Sequence, residues 1–561
     1  METTKERVTL ILGEERIEAY RDDLSSKSDY FASLFSPNFC DTLSTEHRIN
    51  YEIDAKTLRT FVSWTSESAN STFADIRRVK RSLSRYASQY SSLDDVPELL
   101  ELGVLFAAEE LTKDLTNIIA CRRLDPEKSI QFWRLAKELN LLVLRDLAKA
   151  SCLEHLSEGL HCSTYLELPE EEFLDLVGSA CNQSSLDFLL EITKQWLERN
   201  VPSGEIDRFK LHFPFMLLEK DALDNDRTEK INEQRLKSNA QCVVGYKVIG
   251  ENQQQVCIYC WDGSKFFEVA EIPKFSNVST KNIEGRQAVG RGYDIYIIGG
   301  EYGIGTGLFE KEIWRYSTIT KSWYYVTSLR EPRRHMAVAF LNNRLYVMGG
   351  VGRRRLKLST VDVYNVHQDR WSKAADVPEE FTSVPMTVEY NEKLMIYKSA
   401  LYTYDPRKNN WQTICCDFRG FRNASSLATK PISIQYIAWW NDSTYIIDCN
   451  NPKYAQVWIQ GDLSNYPATW FSDCASAFSN VVTNGPYLIG FSQSEDTVYI
   501  ETMMLTRDRY TKMRMRYSQD GTGIRNLCVD SPIGCFNIIN SCKLNERLLI
   551  DIDASNKTRR Y

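Results

Sequence analysis

Three consecutive arginines, Arg353, Arg354 and Arg355, follow a glycine pair in the stretch LYVMGGVGRRRLK, and Lys357 adds a fourth cation. A guanidinium group can donate two parallel hydrogen bonds to one carboxylate, so a cluster of this kind suits an acidic peptide. The alternative is a solvated loop that only keeps the chain soluble, because mixed charged loops commonly have that role. Both interpretations remain open at the level of the sequence.

Cysteine and histidine could supply metal or redox chemistry. Four such residues are close in sequence: Cys152, His155, His161 and Cys162. The first two share a helix face, whereas the last two begin a new element, so the four are not expected to converge as zinc ligands. Cys257 and Cys260 are expected on opposite faces of a strand. No GxSxG or GxxxxGK[ST] motif is present. The sequence therefore predicts no catalytic residue, metal or cofactor.

The totals of the chain restrict its function class. It has 561 residues, 43% of them hydrophobic, and a formal net charge of −7, which argues against wholesale nucleic-acid binding. The N-terminal METTKERVTLILG lacks a secretory core, and no apolar run approaches the ~20 residues of a membrane span. The fifteen cysteines are expected to be buried thiols in a reducing compartment. We expect a cytoplasmic protein.

The elements that would position these residues change character along the chain. VTLILG and RIEAY predict a hairpin, and LSSKSDYFASLFS and LRTFVSW predict helices. Residues 66–92 are polar and are interpreted as a loop. From Leu93 to Lys220, apolar residues recur three and four apart, which predicts an all-α region. After Ala240 the apolar runs become short and rich in Val, Ile, Tyr and Trp, which predicts strands.

A repeat explains the glycine pair. Gly299–Gly300 ends DIYIIGG, and Gly349–Gly350 ends RLYVMGG. A tyrosine stands seven residues before an aromatic residue in four pairs: Tyr259 and Phe266, Tyr316 and Trp323, Tyr364 and Trp371, Tyr404 and Trp411. Repeats of about fifty residues with several short strands are typical of propeller blades. Six four-stranded units are predicted, with CFNIINSCKLNERLLIDI returning to complete the first.

The GG and Tyr-x6-Trp repeats resemble Kelch repeats. The segment from DVPELLELGVLFAAEELTKDL through LDPEKSIQFWRLAKELNLLVLRDLA to QWLERN resembles the end of a BTB domain followed by a BACK domain. VTLILGEERIEAYRDDLSSKSDYFASLFSPNF is similar to a BTB core. The resemblance implies a multidomain protein: an α/β BTB domain over residues 1–122, an all-α BACK domain over 123–225, and an all-β six-bladed Kelch β-propeller over 240–561.

Proteins of this family are adaptors of cullin 3 RING ubiquitin ligases, so the resemblance implies a non-catalytic adaptor that binds cullin 3 and a protein substrate. The hydrophobic-x-Glu motif of the family matches Phe39-Cys40-Asp41, with Asp41 in place of Glu. The resemblance implies two sets of contact residues. The set for cullin is Phe39, Asp41, Leu102, Leu105, Ile130 and Phe132, and the set for substrate is Arg286, Arg334, His335, Arg353, Arg354 and Arg355.

Two other functions compete with the adaptor. A cytoskeletal scaffold would bind actin through its propeller without ligase activity. A metal-dependent oxidase would need more ligands than His335 and His367, which fall in different repeats. The chain also starts only seven residues before VTLIL, and Arg7 and Tyr20 differ from the usual family residues. Homodimerisation through the BTB domain is therefore expected to be weakened.

Overall fold

The computed structural model describes part of the chain. The described residues are 6–37, 44–66, 93–121, 124–156, 163–180, 186–202, 239–248, 254–262, 266–273, 283–390, 392–415, 435–440, 443–448, 455–459, 462–466, 480–484, 487–494, 497–504, 527–529 and 535–539. Two compact units divide the chain, Met1–Leu168 and Pro169–Tyr561. None of the helices in these ranges combines the length and the apolar character that a membrane span needs.

The first unit combines a small sheet with helices. Its strands are β1 (Arg7–Leu12), β2 (Glu15–Tyr20) and β3 (Glu46–Arg48). Its helices are α1 (Arg21–Lys27), α2 (Asp29–Leu34), α3 (Ala55–Ser66), α4 (Val96–Leu105), α5 (Glu109–Cys121), α6 (Pro126–Glu138), α7 (Leu142–Glu154) and α8 (Ser163–Leu166). Strands β1 and β2 form the antiparallel hairpin that the sequence predicts, and β3 pairs with β1 in parallel.

Side-chain caps set the beginnings of two helices in this unit. The Asp125 carboxylate accepts a hydrogen bond from the Lys128 amide at 2.8 Å, and Pro126 occupies the first turn of α6, as the sequence predicts. The Ser28 hydroxyl accepts from the Phe31 amide at 3.2 Å and donates to the Phe106 carbonyl at 2.6 Å. Ser28 therefore divides one predicted helix into α1 and α2 and ties α2 to the end of α4.

The second unit begins with the helices α9 (Glu170–Ala180) and α10 (Leu186–Asn200). The rings of Phe173 and Trp196 stack between them, with centroids 4.7 Å apart. The predicted all-α region is therefore helical in its described parts from residue 96 to residue 200. The first strand after these helices begins at Asn239.

Six antiparallel sheets follow. Sheet I contains β4 (Asn239–Val248), β5 (Gln254–Trp261), β6 (Phe266–Glu271), β28 (Leu527–Val529) and β29 (Cys535–Ile539). Sheet II contains β8 (Gln287–Arg291), β9 (Asp294–Ile298), β11 (Glu312–Ser317) and β12 (Ser322–Ser328). A separate ribbon pairs β7 (Ile283–Glu284) with β10 (Glu301–Tyr302). Sheet III contains β13 (Ala337–Leu341), β14 (Arg344–Met348), β15 (Val361–Asn365) and β16 (Arg370–Ala374).

The last three sheets continue the pattern. Sheet IV contains β17 (Met386–Tyr390), β18 (Lys393–Tyr397), β19 (Leu401–Asp405) and β20 (Asn410–Cys415). Sheet V contains β21 (Gln435–Trp440), β22 (Ser443–Asp448), β23 (Ala455–Ile459) and β24 (Asp462–Tyr466). Sheet VI contains β25 (Asn480–Asn484), β26 (Tyr487–Ser494) and β27 (Thr497–Met504). The fourth strand predicted near residue 510 lies outside the described residues.

One strand of each sheet contacts the equivalent strand of the next sheet, and the series closes on itself. The successive contacts are β8 with β13, β13 with β17, β17 with β21, β21 with β25, β25 with β29, and β29 with β8. Strand β29 reaches this position by pairing with β4, from Cys535 opposite Val243 to Ile539 opposite Asn239. The sequence predicted this return of the C-terminal strand, which leaves no free edge at the junction.

The repeated aromatic residues join neighbouring sheets. Within sheet III, Tyr364 lies directly opposite Trp371, with ring centroids 5.1 Å apart. The Trp371 indole nitrogen donates a hydrogen bond to the Thr327 hydroxyl at the end of sheet II, at 3.2 Å. Trp411 of sheet IV donates in the same way to the Ala375 carbonyl beyond sheet III, at 2.9 Å. The indole N–H therefore satisfies its hydrogen bond across both of these junctions while its ring fills the space.

The glycine pairs occupy positions that no side chain could share. Gly300 has φ +104°, and a Cβ built on it would lie 2.3 Å from the Ile283 side chain. Gly349 has φ +56°, and its Cβ would lie 2.6 Å from the Phe381 ring. Positive φ and close approach are the two conditions that require glycine. The pairs are thus structural, as the sequence predicts.

Candidate protein-binding surface

The three arginines form a short, exposed 3-10 turn between β14 and β15. The base of this loop is fixed because Val351 and Leu358 are buried, and the Gly352 amide donates to the Leu356 carbonyl at 2.8 Å. Arg354 and Arg355 both have left-handed backbones, with φ of 55° and 61°. Each such conformation costs a non-glycine residue about 1–2 kcal/mol. The fold therefore holds two adjacent arginines in an unfavourable conformation that projects them outward.

The preceding sheet supplies a second ordered loop beside the first. Residues 303–309 follow β10, and the Tyr302 amide donates to the Leu308 carbonyl at 2.8 Å. Below the loop, the Glu301 carboxylate accepts from the Gly307 amide at 2.8 Å. The two loops meet where the Arg355 guanidinium lies beside Gly305, since a Cβ at that glycine would be 3.4 Å from Arg355 Nη2.

In the described part of the second unit, large apolar side chains are exposed only on these two loops. Among the described residues from Pro169 onward, the exposed large hydrophobic side chains are Ile304 at 59%, Leu308 at 54% and Leu356 at 61%. We call the set Ile304, Leu308, Arg353, Arg354, Arg355 and Leu356 the loop patch. It combines apolar surface with three cations on two adjacent sheets, which is a composition suited to protein binding.

The other predicted substrate contacts lie beneath this surface. Arg286 and Arg334 are buried, with 5% and 9% of their surface exposed, and the Arg334 Nε atom lies 2.9 Å from a Glu301 carboxylate oxygen. Because this pair is formed inside the protein, Arg334 supports the 303–309 loop from below rather than offering a free cation. The structure brings these residues close to the loop patch but does not make them part of it.

His335 lies at the same junction and is half-buried. Its backbone has φ 53°, and its amide donates to the Gly285 carbonyl at 2.9 Å. Burial first, and then the charge of Arg334, lower the pKa of His335 from its ordinary value of 6.5, although Glu301 acts in the opposite direction. His335 is therefore neutral at pH 7 and adds no charge to the loop patch.

Arg333 is a structural residue that the sequence did not reveal. Its side chain has no exposed surface. The guanidinium donates to the Asp362 carboxylate at 2.5 Å and to the Thr360 carbonyl and the Gly349 carbonyl at 3.0 and 3.2 Å. These bonds join the segment before β13 to both ends of the 349–360 loop. A run of two arginines gives no sign of which one is buried, so only the structure separates Arg333 from Arg334.

The residues predicted to contact cullin fall into three groups. Phe39 and Asp41 lie outside the described residues. Leu102, Ile130 and Phe132 are at most 3% exposed and belong to the core of the first unit. Leu105, at the end of α4, is 38% exposed. A partner that docks on this unit as it stands can reach Leu105, whereas the three buried residues support the surface from within.

The candidate metal ligands have structural partners instead. His155 is buried, and its Nε2 atom lies 2.8 Å from the Leu124 carbonyl oxygen. Cys152 is buried, and its carbonyl accepts from the Tyr165 hydroxyl at 3.0 Å. His161 and Cys162 lie outside the described residues. Within the described part of the chain, no three His, Cys, Asp or Glu residues are grouped as a metal site.

Comparison with known families assigns the repeats of sheets II and III. The family model described as the Kelch motif matches residues 285–330 and 332–378. The chain therefore contains two Kelch motifs. Kelch repeats imply a β-propeller, and the two matched repeats carry the two loops of the loop patch. The Kelch resemblance that the sequence predicts is therefore confirmed.

The relatives of this chain are distant. It is 30% identical over 101 residues to human Kelch repeat and BTB domain-containing protein 6, a match covering 18% of the chain and 15% of the relative. It is 23% identical over 449 residues to Caenorhabditis elegans Kelch repeat-containing protein kel-10, covering 74% and 70%. It is 21% identical over 374 residues to vaccinia virus Kelch repeat and BTB domain-containing protein 1, covering 66% and 55%.

Proposed function

We propose that the chain is a substrate-recognition adaptor of a cullin 3 RING ubiquitin ligase. Residues 1–122 would form a BTB domain, 123–225 a BACK domain and 240–561 a six-bladed Kelch propeller. The observation that carries the proposal is the combination of Kelch repeats with relatives whose names join Kelch repeats to a BTB domain. The helical segment between the hairpin and the six sheets fits the BACK position.

The propeller part of the proposal rests on the closed series of inner strands. Six sheets that contact one another in a cycle, closed by β29 on β4 and β8, have the connectivity of a ring of blades. Each blade buries its two faces against its neighbours, so the loops between strands are free to vary. Target binding is assigned to the loop patch, which lies between second and third strands of two adjacent sheets.

The cullin contact is assigned to the first unit. Phe39 would enter an apolar pocket on the cullin, and Asp41 would replace the family Glu with a side chain one methylene shorter. Leu105 extends this contact because it is exposed at the end of α4. Its buried neighbours Leu102, Ile130 and Phe132 keep the helices in place beneath it.

The adaptor performs no bond chemistry of its own. By holding a target protein on one unit and the ligase on the other, it raises the effective concentration of target lysines near the ubiquitin-charged enzyme. The activity of such a complex depends on two separate binding surfaces. Each can therefore be removed by mutation without disturbing the other.

A capture experiment tests the proposal. The Phe39→Ala, Asp41→Ala double variant of the full chain should lose at least about 90% of cullin 3 capture, because the pocket-filling ring and the neighbouring carboxylate are both removed. The control Ile304→Ala alters an exposed side chain of the second unit and should capture cullin 3 as the wild type does.

Two results would contradict the adaptor role. One is a wild-type chain that fails to capture purified cullin 3, and the other is a double variant that captures it fully. Co-sedimentation of the wild-type chain with filamentous actin, together with absent cullin binding, would favour the cytoskeletal scaffold instead. The oligomeric state, for which we propose a weakened BTB dimer, is measured on the same samples by light scattering.

A further inference from the structure

We propose that the loop patch binds a short segment of a partner protein in which acidic residues flank a large aliphatic side chain. The inference deepens the proposed function, on which it rests, because it names the chemical class of the target that the Kelch repeats hold. It follows from the apolar residues of the patch, which a purely electrostatic site for acidic peptides would not need.

The apolar half of the patch is the first argument. Ile304, Leu308 and Leu356 each expose more than half of their surface. The other described large hydrophobic residues of the second unit are buried or partly buried. Exposed aliphatic side chains grouped on two touching loops mark an interaction surface better than the same side chains scattered singly.

The cationic half is the second argument. The three arginine side chains are exposed, and none of them forms an ion pair with a described residue. Their guanidinium groups are therefore available for carboxylates of a partner. The nearby Glu301 carboxylate does not cancel this charge, because it faces the buried Arg334 at 2.9 Å.

The order of both loops is the third argument. Hydrogen bonds within each loop hold its shape, including Gly352 to Leu356 and Tyr302 to Leu308, both at 2.8 Å. A loop backbone that is already ordered loses little conformational entropy when a ligand binds. Arg354 and Arg355 keep their left-handed backbones because this framework fixes them. The patch is therefore preformed rather than assembled around a partner.

A protein segment fits the patch better than a membrane or a nucleic acid. Those polyanions extend over large areas and are bound by large basic surfaces. Here the formal net charge of the chain is −7, and the cations are confined to one loop. Charged and aliphatic groups side by side on two loops match a peptide, whose side chains differ from residue to residue.

Synthetic peptides of equal length test the substrate class on the full chain. One contains glutamates flanking a leucine, a second replaces the leucine with serine, and a third replaces the glutamates with glutamines. Fluorescence anisotropy should show binding of the first peptide, with at least about tenfold weaker binding of the other two. Raising the salt concentration from 0.1 to 1 M should weaken binding of the first peptide, because the Debye length falls from about 10 Å to 3 Å.

Matched variants locate the binding. Arg354→Glu and Leu356→Ser should each weaken binding of the first peptide by at least about tenfold. Arg370→Glu makes the same charge change at an exposed arginine on β16 of the same sheet and should leave binding unchanged. Both patch variants alter exposed side chains, so circular dichroism should show wild-type folding.

Several outcomes would overturn the inference: no peptide binding, equal binding of all three peptides, or peptide binding that survives both patch variants. Vesicles containing phosphatidylserine provide the competing test, because membrane binding that depends on Arg354 and Leu356 would assign the patch to a lipid surface. Cullin 3 capture by the same variants is measured in parallel. If the wild type does not capture cullin 3, the result contradicts only the adaptor role. If the wild type binds the three peptides equally, the result contradicts only the substrate class.

Discussion

At the scale of single residues, the Arg333 side chain has no exposed surface and forms an ion pair with Asp362, with 2.5 Å between Arg333 Nη2 and Asp362 Oδ2. Desolvation lowers the pKa of Arg333 from its ordinary value, while the carboxylates of Asp362 and Glu331 oppose the shift. A buried ion pair stabilises a fold only when its remaining hydrogen bonds are satisfied. Here the carbonyls of Gly349 and Thr360 meet that condition.

Removing one partner of this pair should be costly. Arg333→Met leaves the Asp362 carboxylate buried without its cation, so we expect the free energy of unfolding to fall by about 3–5 kcal/mol. Denaturant unfolding followed by tryptophan fluorescence measures the change. Arg370→Met, at an exposed position, should change stability by less than about 0.5 kcal/mol. An equal effect of the two substitutions would show that the buried pair contributes nothing to stability.

At the scale of elements, the sequence predicted the sheets because the seven-residue step from a tyrosine to a second aromatic residue indicates two paired strands. Tyr316 faces Trp323 and Tyr404 faces Trp411 across neighbouring strands, and a hairpin of fixed length keeps that spacing constant. The returning strand β29 was predictable for the same reason, since a ring of blades needs its last edge paired.

The loops were less predictable because their geometry depends on contacts between elements. The sequence showed that the arginines follow a glycine pair, and the structure places them between the second and third strands of sheet III. It did not reveal that Arg334 turns inward to Glu301, since Glu301 lies on β10, a strand of a different sheet element. The apolar residues Ile304 and Leu308 were also missed, because a turn rich in glycine gives no periodic pattern from which exposure can be inferred.

Strand β17 carries a pH-sensitive carboxylate. The Glu389 residue is exposed at the surface, yet neighbouring protein partly desolvates its carboxyl group. This desolvation, and secondly the charge of Glu392, raise the pKa of Glu389 from the ordinary value of 4.5 to about 7. The folded protein therefore binds this proton more tightly than the unfolded chain does. The stabilisation from the protonated form is complete below about pH 4.5 and is lost as the pH rises through 7.

Replacement by glutamine should remove this dependence. We expect Glu389→Gln to raise the melting temperature relative to the wild type at pH 8 and to make the difference smaller at pH 5. Thermal unfolding monitored by circular dichroism across this range measures it. A pH-independent difference for Glu389→Gln would contradict the assigned titration.

At the scale of the second unit as a whole, the closed series of sheets depends on one crowded junction. Strand β29 comes from the far end of the sequence, pairs with β4, and donates from the Ile539 amide to the Gly292 carbonyl at 2.7 Å. A Cβ on Gly290 of β8 would lie 2.1 Å from the Asn537 carbonyl oxygen. Glycine is therefore required where the first and last parts of this unit meet.

Gly290→Val should consequently open the junction rather than disturb one blade. The added side chain meets backbone, which cannot rotate away, so we expect a loss of at least about 2 kcal/mol in the free energy of unfolding. Gly178→Ala, in α9 with open space around its Cβ position, should instead leave stability equal or slightly higher. Hydrogen exchange distinguishes local opening of the junction from unfolding of all six sheets together. An opened ring exposes the amides of β4 and β29 together while sheets III and IV keep their protection, whereas uniform loss of protection would mean that the six sheets unfold as one unit and that closure is not a separate step.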